Sequence, residues 1–305
     1  MIKMVLRKIY NTIKRKVAKY TIYSHIKRIY YIIIKDRINR KYIISYIYRY
    51  VHYFHFYKPK NRPYFVKIEN NKYTIVYPDS DSGEVNIYTR GADYFENKFV
   101  RQIIEPDDFI IDAGCNVGNR TLVLSDLISG ALLIEPNKKC LKRLSTIFKF
   151  NNINMSNYYL VPKCVSNKRS LCYFTNYGGT STQNKITLEP YKNSYQVEVT
   201  TIDYEMTLIG NPICTYIKFD LEGYDYEGVC GSINTLQNNQ VKLIKFELLN
   251  CSQFHLFNNF FSKINWIVFC LNQFGKPTLK KDIKLKNLNY FACPKKYISD
   301  ILSIF

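Results

Sequence analysis

Acidic side chains are almost missing from the first sixty residues of this 305-residue chain. Sixteen Lys or Arg stand there against one acid, Asp36, so a fifth of the sequence carries fifteen of its twenty formal positive charges. The remainder is near balance, as on an ordinary enzyme surface, which assigns the basicity to an N-terminal extension rather than to the part that does chemistry. Long apolar runs are missing too. No stretch of eighteen apolar residues occurs, and the nearest, Tyr42 to Tyr57, is broken by Arg49, His52 and His55; this argues against a membrane span. The N-terminus has no uninterrupted apolar segment of the secretory kind. The nine cysteines all follow residue 114, without a CxxC pair or clustered histidines, a spacing that gives no zinc site and no thioredoxin-like motif. An odd number of scattered thiols predicts a reducing, cytoplasm-like compartment.

With 47% apolar residues the chain has enough sequence to bury a sizeable core. Residues 1–20 fit an amphipathic helix: Ile2, Val5, Leu6, Ile9, Ile13, Val17 and Tyr20 share one arc, and the Lys and Arg residues, Lys16 excepted, take the other. Residues 21–57 stay basic and aromatic with poorer periodicity, and Lys58 to Pro63 reads as a linker because two prolines and no apolar residue oppose a regular element. This divides the chain into an extension, 1–58, and a second domain, 59–305. Within the latter, 59–105 predicts a hairpin over Tyr64–Tyr77, turned at Asn70-Asn71, and a helix from Asp93 to about Ile104. From 106 onward apolar runs alternate with helical segments. The runs are Phe109–Ala113, Ala131–Ile134, Tyr158–Val161, Tyr216–Phe219, Val241–Phe246, Trp266–Leu271 and Leu288–Ala292, and helices are expected from Val117 and over Lys138–Phe150. Such alternation predicts an α/β fold of Rossmann-like type, a mostly parallel sheet with helices on both faces.

The chemistry concentrates where predicted strands end. Asp112-Ala113-Gly114-Cys115-Asn116-Val117-Gly118 joins a strand to a helix through a glycine turn, the place where open α/β sheets bind ligands. Gly114 would let backbone approach a ligand, and Gly118 would let the helix pack close to the strand. A dinucleotide needs a wider GxGxxG cradle for its pyrophosphate; the tighter loop suits a ligand without phosphate, such as the methionine moiety of S-adenosylmethionine. Glu135, in Ile134-Glu135-Pro136-Asn137, follows Asp112 by twenty-three residues, the interval of an acid that accepts from a ribose diol. Its plainer role is to cap the next helix, with Pro136 in the first turn. Tyr216-Ile217-Lys218-Phe219-Asp220-Leu221-Glu222-Gly223 puts two carboxylates, Asp220 and Glu222, at another strand end, where a catalytic group belongs. His255, flanked by Phe254 and Leu256, reads as a packed core histidine in preference to a general base, and Trp266 reads as core.

The ordered set D-x-G-x-N-x-G, I-E-P-N, V-x-V-T-T-I-D (Val197–Asp203) and I-K-x-D-x-E-G resembles FkbM-type methyltransferases over roughly Tyr88 to Glu247. Thr89 to Glu96 is similar to the family's segment before the first strand, where an acid, here Glu96, approaches the cofactor. Gly178-Gly179-Thr180-Ser181 resembles its glycine–hydroxyl loop, and Phe246-Glu247 the end of its fifth strand. Asp107 replaces a common glycine, Cys115 a small alanine and Asp225 a frequent Glu.

The resemblance implies a class I methyltransferase sheet, S-adenosylmethionine as cofactor and O-methylation of a sugar or other small hydroxylated acceptor. Together with the motif reading it puts Glu96, Asp112, Gly114, Asn116, Gly118, Glu135 and Asn137 on the cofactor and Asp220 and Glu222 on the acceptor. Two acids are too few to assign a divalent metal. Nucleic acid gripped by the basic extension is a weaker expectation, since no base-methylation signature follows the fourth strand; a non-catalytic binding module is weaker still, given the retained Asp112, Glu135 and Asp220. The helix over 1–20 is expected to lie on an anionic membrane surface, which would make a cytoplasmic protein peripheral to that membrane; the plainer alternatives are docking on an acidic face of its own domain or of a partner, or sealing part of the catalytic domain's core.

Overall fold

The computed structural model describes residues 43–79, 83–89, 93–175, 186–187, 189–190, 193–238, 240–250, 253–272, 274–279 and 289–304. The helix expected over 1–20 and the Gly178–Ser181 loop lie outside them. The chain divides into two compact units, Met1–Ala92 and Asp93–Phe305.

In the first unit, helix α1 (Ile43–His52) runs on through a π-helical turn, Tyr53–Tyr57. The supposed linker is a 3-10 turn over Lys58–Lys60, with Pro59 near its start, where proline's fixed φ fits and its missing N–H costs nothing. It closes at Asn61, in the left-handed region at φ 51°. The hairpin follows as expected: β1 (Tyr64–Lys67) pairs antiparallel with β2 (Tyr73–Val76), Tyr64 opposite Val76 and Lys67 opposite Tyr73. Asn70 and Asn71 make the turn at positive φ, which asparagine tolerates better than most side chains. Tyr53, Tyr64, Val66, Val76 and Ile87 form this unit's core.

In the second unit, α2 (Tyr94–Val100) stops short of the expected Ile104; the chain unwinds through hydrogen-bonded turns before Pro106. The strands of the main sheet are β3 (Asp108–Ala113), β4 (Ile128–Ile134), β5 (Tyr158–Val161), β10 (Cys214–Phe219), β11 (Leu243–Glu247), β12 (Trp266–Leu271), β13 (Pro277–Thr278) and β14 (Asn289–Pro294). Their order is β13-β12-β14-β11-β10-β3-β4-β5. Strands β5, β4, β3, β10 and β11 are parallel, and β14 inserts antiparallel between β11 and β12. Every residue of β10 is buried, as is all of β3 after its first residue, so both faces of the sheet's centre are covered. The connecting helices include α3 (Asn119–Leu124), α4 (Lys138–Phe150), α5 (Ile202–Leu208), α6 (Asp225–Cys230), α7 (Ile233–Asn238) and α8 (Phe254–Lys263).

A second sheet, β6 (Cys164–Val165), β7 (Ser170–Thr175), β8 (Ile186–Thr187) and β9 (Ser194–Thr200), is set in order β6-β9-β7-β8 between β5 and α5 in the chain. It has its own small core of Cys164, Cys172, Phe174, Val197 and Val199. Thr201 then caps α5 by accepting from Tyr204 N at 3.1 Å, and Asp203 accepts from Asn234 N, Thr235 N and the Thr235 hydroxyl. The V-x-V-T-T-I-D run is thus a strand, a helix cap and a clasp on α7.

Chain order runs outward from β3 through β4 to β5 on one side, and from β10 to β11 on the other. The reversal between β3 and β10 opens a crevice at their carboxyl ends, the switch point where such sheets bind ligands. Phe246 stacks on Phe257 with centroids 4.2 Å apart and touches Phe261, which in turn stacks on Trp266, pinning α8 to β11 and β12. Trp266 is core, as expected. His255 is not: it lies on the exposed side of α8, because the helix turns Phe257 and Phe261 inward instead. Phe246→Ala is expected to lower unfolding stability by about 3–5 kcal/mol, read by denaturant titration.

Candidate active site

The site grows from one buried cation. Lys218, near the end of β10, donates to Asp112 Oδ1 at 3.1 Å and to the Gly114 carbonyl at 3.2 Å, and its ammonium lies 3.2 Å from Asp220 Oδ2. The other oxygen of Asp112 accepts from the Thr121 hydroxyl at 2.8 Å. Burial works against the Lys218 charge, but Asp112 and Asp220 hold its pKa well above the usual lysine range. Asp112, expected on the cofactor, is therefore an interior counter-ion whose two oxygens are both engaged within the chain.

The glycines correct their expected reasons. Gly114 sits at φ 76°, and a Cβ there would lie 2.0 Å from the backbone oxygen of Asp220. The space it leaves is filled by the chain, not by a ligand. Gly118, also at φ 76°, clears Leu144 and Phe148 of α4, so the close packing is helix on helix rather than helix on strand. Asp107, where the family commonly has glycine, keeps the left-handed backbone at φ 69°.

Between these glycines, Asn116 turns at φ 50° and donates its backbone N–H to Glu135 Oε2 at 3.0 Å. Its side-chain Oδ1 is buried with no hydrogen-bond partner among the described residues. Glu135 Oε1 accepts from Asn137 N at 2.9 Å, while Asn137 Oδ1 accepts from Lys139 N and caps α4. The capping role proposed for Glu135 therefore belongs to Asn137, and Pro136 precedes the cap instead of entering the helix. Burial pushes the Glu135 carboxyl up to about 7, against the two backbone N–H groups that favour its charge.

Glu96 lies on α2, apart from that loop, with both oxygens held: Arg120 Nη2 donates to one at 2.8 Å and Asn289 Nδ2 to the other at 2.6 Å. Arg120 also donates to Asn97 Oδ1 and lies 3.1 Å from Asp93, so one buried guanidinium joins α3 to α2.

The two acids after β10 behave differently. Burial raises the Asp220 pKa, but Lys218, Lys245 and Arg120 more than offset this and hold it below the usual aspartate range. At Glu222 the pull of Lys218 is outweighed. Glu222 occupies a left-handed turn at φ 51°, unusual for a long side chain, and is exposed at its tip. Partial burial, then Asp220, Glu247 and Asp225, push its carboxyl up to about 7. The turn that displays it is fixed by Asp225, whose buried oxygens accept from Leu221 N at 3.0 Å and Glu247 N at 2.9 Å. That clasp ties the end of β11 to the loop after β10.

The fold thus gathers Asp112, Gly114, Asn116, Glu135, Asn137, Asp220 and Glu222 at the mouths of β3, β4 and β10. Lys218 stands in the sequence motif as a letter without a role, Asp225 as a departure from a frequent Glu, and Arg120 has no signal of its own. Among the described residues, no three His, Cys, Asp or Glu side chains gather to hold a metal ion.

A parallel sheet with a glycine turn, an acid two strand-ends away and a carboxylate rim at its switch point defines a class of α/β proteins that grip a small nucleoside ligand. A sequence model described as the methyltransferase FkbM domain matches residues 112–265. The chain belongs to the FkbM methyltransferase family, whose methyl donor is S-adenosylmethionine. Among solved structures it is similar to an FkbM methyltransferase from Methylobacillus flagellatus KT, at 14% identity and TM-score 0.44, with 61% of this chain and 43% of that one covered. It spans less than half the length of that relative. A Streptococcus mutans protein solved in complex with SAH matches at 12% identity and TM-score 0.42, over 67% of this chain and 98% of that one. An S-adenosylmethionine-dependent O-methyltransferase from Thermotoga maritima matches at 8% identity and TM-score 0.36, over 65% and 64%. No curated protein matches the sequence.

Lys218→Met is expected to cost about 3–5 kcal/mol of stability, since it strands the buried Asp112 charge. Adding Asp112→Asn should recover part of that loss in denaturant titrations; a double variant no more stable than the single one would refute the pairing.

Proposed function

We propose that this chain transfers a methyl group from S-adenosylmethionine to a hydroxyl of a sugar or other small acceptor, with Glu222 as proton acceptor and Asp220 as the charge beside it. The observation that carries this reading is the contrast at the end of β10, where Lys218 lies 3.2 Å from Asp220 and holds it ionised while burial and three neighbouring acids lift Glu222 to about 7.

The site's charge suits the cofactor. Glu135, Asp220, Glu222 and Glu247 stand close enough to shift one another's protonation, an environment for a cation and not for a pyrophosphate. The buried Asn116 Oδ1 is an acceptor awaiting a donor such as the methionine ammonium, and each Glu135 oxygen keeps a lone pair for a ribose hydroxyl. When bound, S-adenosylmethionine supplies an electrophilic methyl on a positively charged sulfur. As the acceptor's oxygen took the methyl carbon, the carbon–sulfur bond would break with its electron pair left on sulfur, giving a neutral thioether; Glu222 would take the hydroxyl proton, so the carboxylate ends protonated and the methyl ether neutral. Asp220 stays charged and holds the acceptor hydroxyl or the cationic reactant in line, a positioning effect that needs contacts of about 3 Å. A pKa near the working pH is what a general base requires. The sugar or small-molecule acceptor follows from resemblance to FkbM-type enzymes; a labelled-cofactor screen of glycans and hydroxylated small molecules beside RNA tests it, and turnover on RNA alone would overturn it.

Glu222→Gln is expected to cut kcat by roughly 10²–10⁴-fold and to abolish the rise of rate with pH through about 7. Asp220→Asn should lower the rate but keep that rise. If Glu222→Gln retains the wild-type profile, Glu222 is not the base. Stability gives an independent check. The unfolded chain releases this proton near 4.5 and the folded chain near 7, so the folded state binds more protons between them and Glu222 costs stability as pH rises through that window. Melting curves should show Glu222→Gln gaining on the wild type from about pH 5 to about pH 8.

Glu135→Ala should weaken S-adenosylmethionine binding measured by calorimetry, each lost hydrogen bond to the charged acceptor being worth about 1.5–3 kcal/mol. Unchanged affinity in a folded variant would remove Glu135 from the cofactor site.

A further inference from the structure

Helix α1 carries apolar side chains on two sides, with Ser45, Arg49 and His52 on a third, and only one of the apolar sides is covered. Tyr46 and Tyr50 face inward and are buried, and Tyr53 beyond them is fully so. The opposite side carries Ile44, Ile47, Tyr48 and Val51, spaced i, i+3, i+4, i+7, with exposures of 85%, 38%, 63% and 43%. Four large apolar side chains along one helical stripe, open to solvent, make a contact surface rather than scattered exposure. Beside that stripe lie Ser45, Arg49 and His52, so the open apolar side is flanked by a polar and basic one, the layout of a helix that meets an interface.

We propose that this stripe of α1 docks on an anionic lipid bilayer. Charge complementarity selects that occupant. The sixty residues that contain the stripe hold sixteen Lys or Arg and a single acid, and each basic residue close to an anionic bilayer strengthens binding by about fivefold. The stripe itself is aliphatic with one tyrosine, the composition of a helix lying in the interface with its apolar side in the acyl boundary. A phosphodiester backbone would meet the lysines and arginines but gains nothing from Ile44, Ile47 and Val51. No helix among the described residues is long and apolar enough to cross a membrane, so the contact is peripheral.

The test uses the full chain and vesicles of phosphatidylcholine with or without phosphatidylserine. The protein's one tryptophan, Trp266, is buried in the sheet core, which leaves Tyr48→Trp as a reporter of the stripe. Its emission should shift to the blue with phosphatidylserine vesicles, be quenched by brominated lipid and revert in high salt. Ile44→Asp with Val51→Asp should lower partitioning by more than about tenfold at unchanged melting temperature. No shift of the reporter, or equal shifts with neutral vesicles in high salt, overturns the proposal. It also fails if the paired aspartates lower the melting temperature and leave vesicle binding intact, since residues 1–42 would then cover the stripe. Abolition of a dimer seen by sedimentation, without effect on vesicles, assigns the stripe to a second copy and overturns it too. Should the aspartate variant not fold, the reporter decides alone.

Discussion

One buried ammonium governs the mouth of the sheet. Lys218 is the point where β3, the glycine turn and the loop after β10 meet, through Asp112, the Gly114 carbonyl and Asp220. A buried lysine is costly unless its charge and its donors are matched, and here three acceptors surround it. The match has structural consequences. It sets β10 alongside β3 at the register that brings Lys218 opposite Asp112. It draws the chain after β10 so close to Gly114 that only a residue without Cβ fits there. The chain itself therefore requires glycine in this loop, through the backbone oxygen of Asp220.

The same cation separates two neighbouring acids into two chemical characters. A carboxylate beside an ammonium stays ionised; a second one, two residues on, is raised first by partial burial and then by the first acid and two more behind it. Position holds Asp220 below the usual aspartate range and lifts Glu222 to about 7. The left-handed backbone at Glu222 stores strain, and the Asp225 clasp on Leu221 N and Glu247 N offsets it by making the turn the only path that satisfies both strand ends. Asp225 is shorter than the family's frequent Glu, yet both its oxygens are used.

Periodicity and apolar runs made most of the second unit's main sheet legible, because buried parallel strands read as uninterrupted apolar stretches and α4, Lys138–Phe150, shows a full helical face. The second sheet was not legible: β6 and β8 are two residues long, and β6 pairs only with β9, some thirty positions beyond it in the chain, while β8 pairs with β7. At the site, residue types at strand ends pointed to loops that the fold brings together at the mouths of β3, β4 and β10. What each side chain does there was hidden, because Asp112 and Asp220 take their meaning from a lysine that looked like any strand residue. Likewise Asn137, not Glu135, caps α4, a choice set by which backbone N–H groups fall within reach of which oxygen. The glycine positions were readable and their reasons were not, since the atoms that crowd them come from Asp220 and Leu144, remote in sequence.

The charge of the chain follows the same logic as its site. A rim holding Glu135, Asp220, Glu222 and Glu247 repels any acceptor that must bring phosphates near the reacting atoms, so strong local basicity at the rim would be needed before a nucleic acid strand could settle there. The positive charge is instead concentrated in the first sixty residues, on the segment that also carries an open aliphatic stripe. Coulomb attraction that falls off within about 8 Å at physiological salt acts where the charges are, not at a site of opposite character. Charge is therefore divided between sequence segments: the acids gather at the strand ends, and the bases gather with the open aliphatic stripe in the first sixty residues.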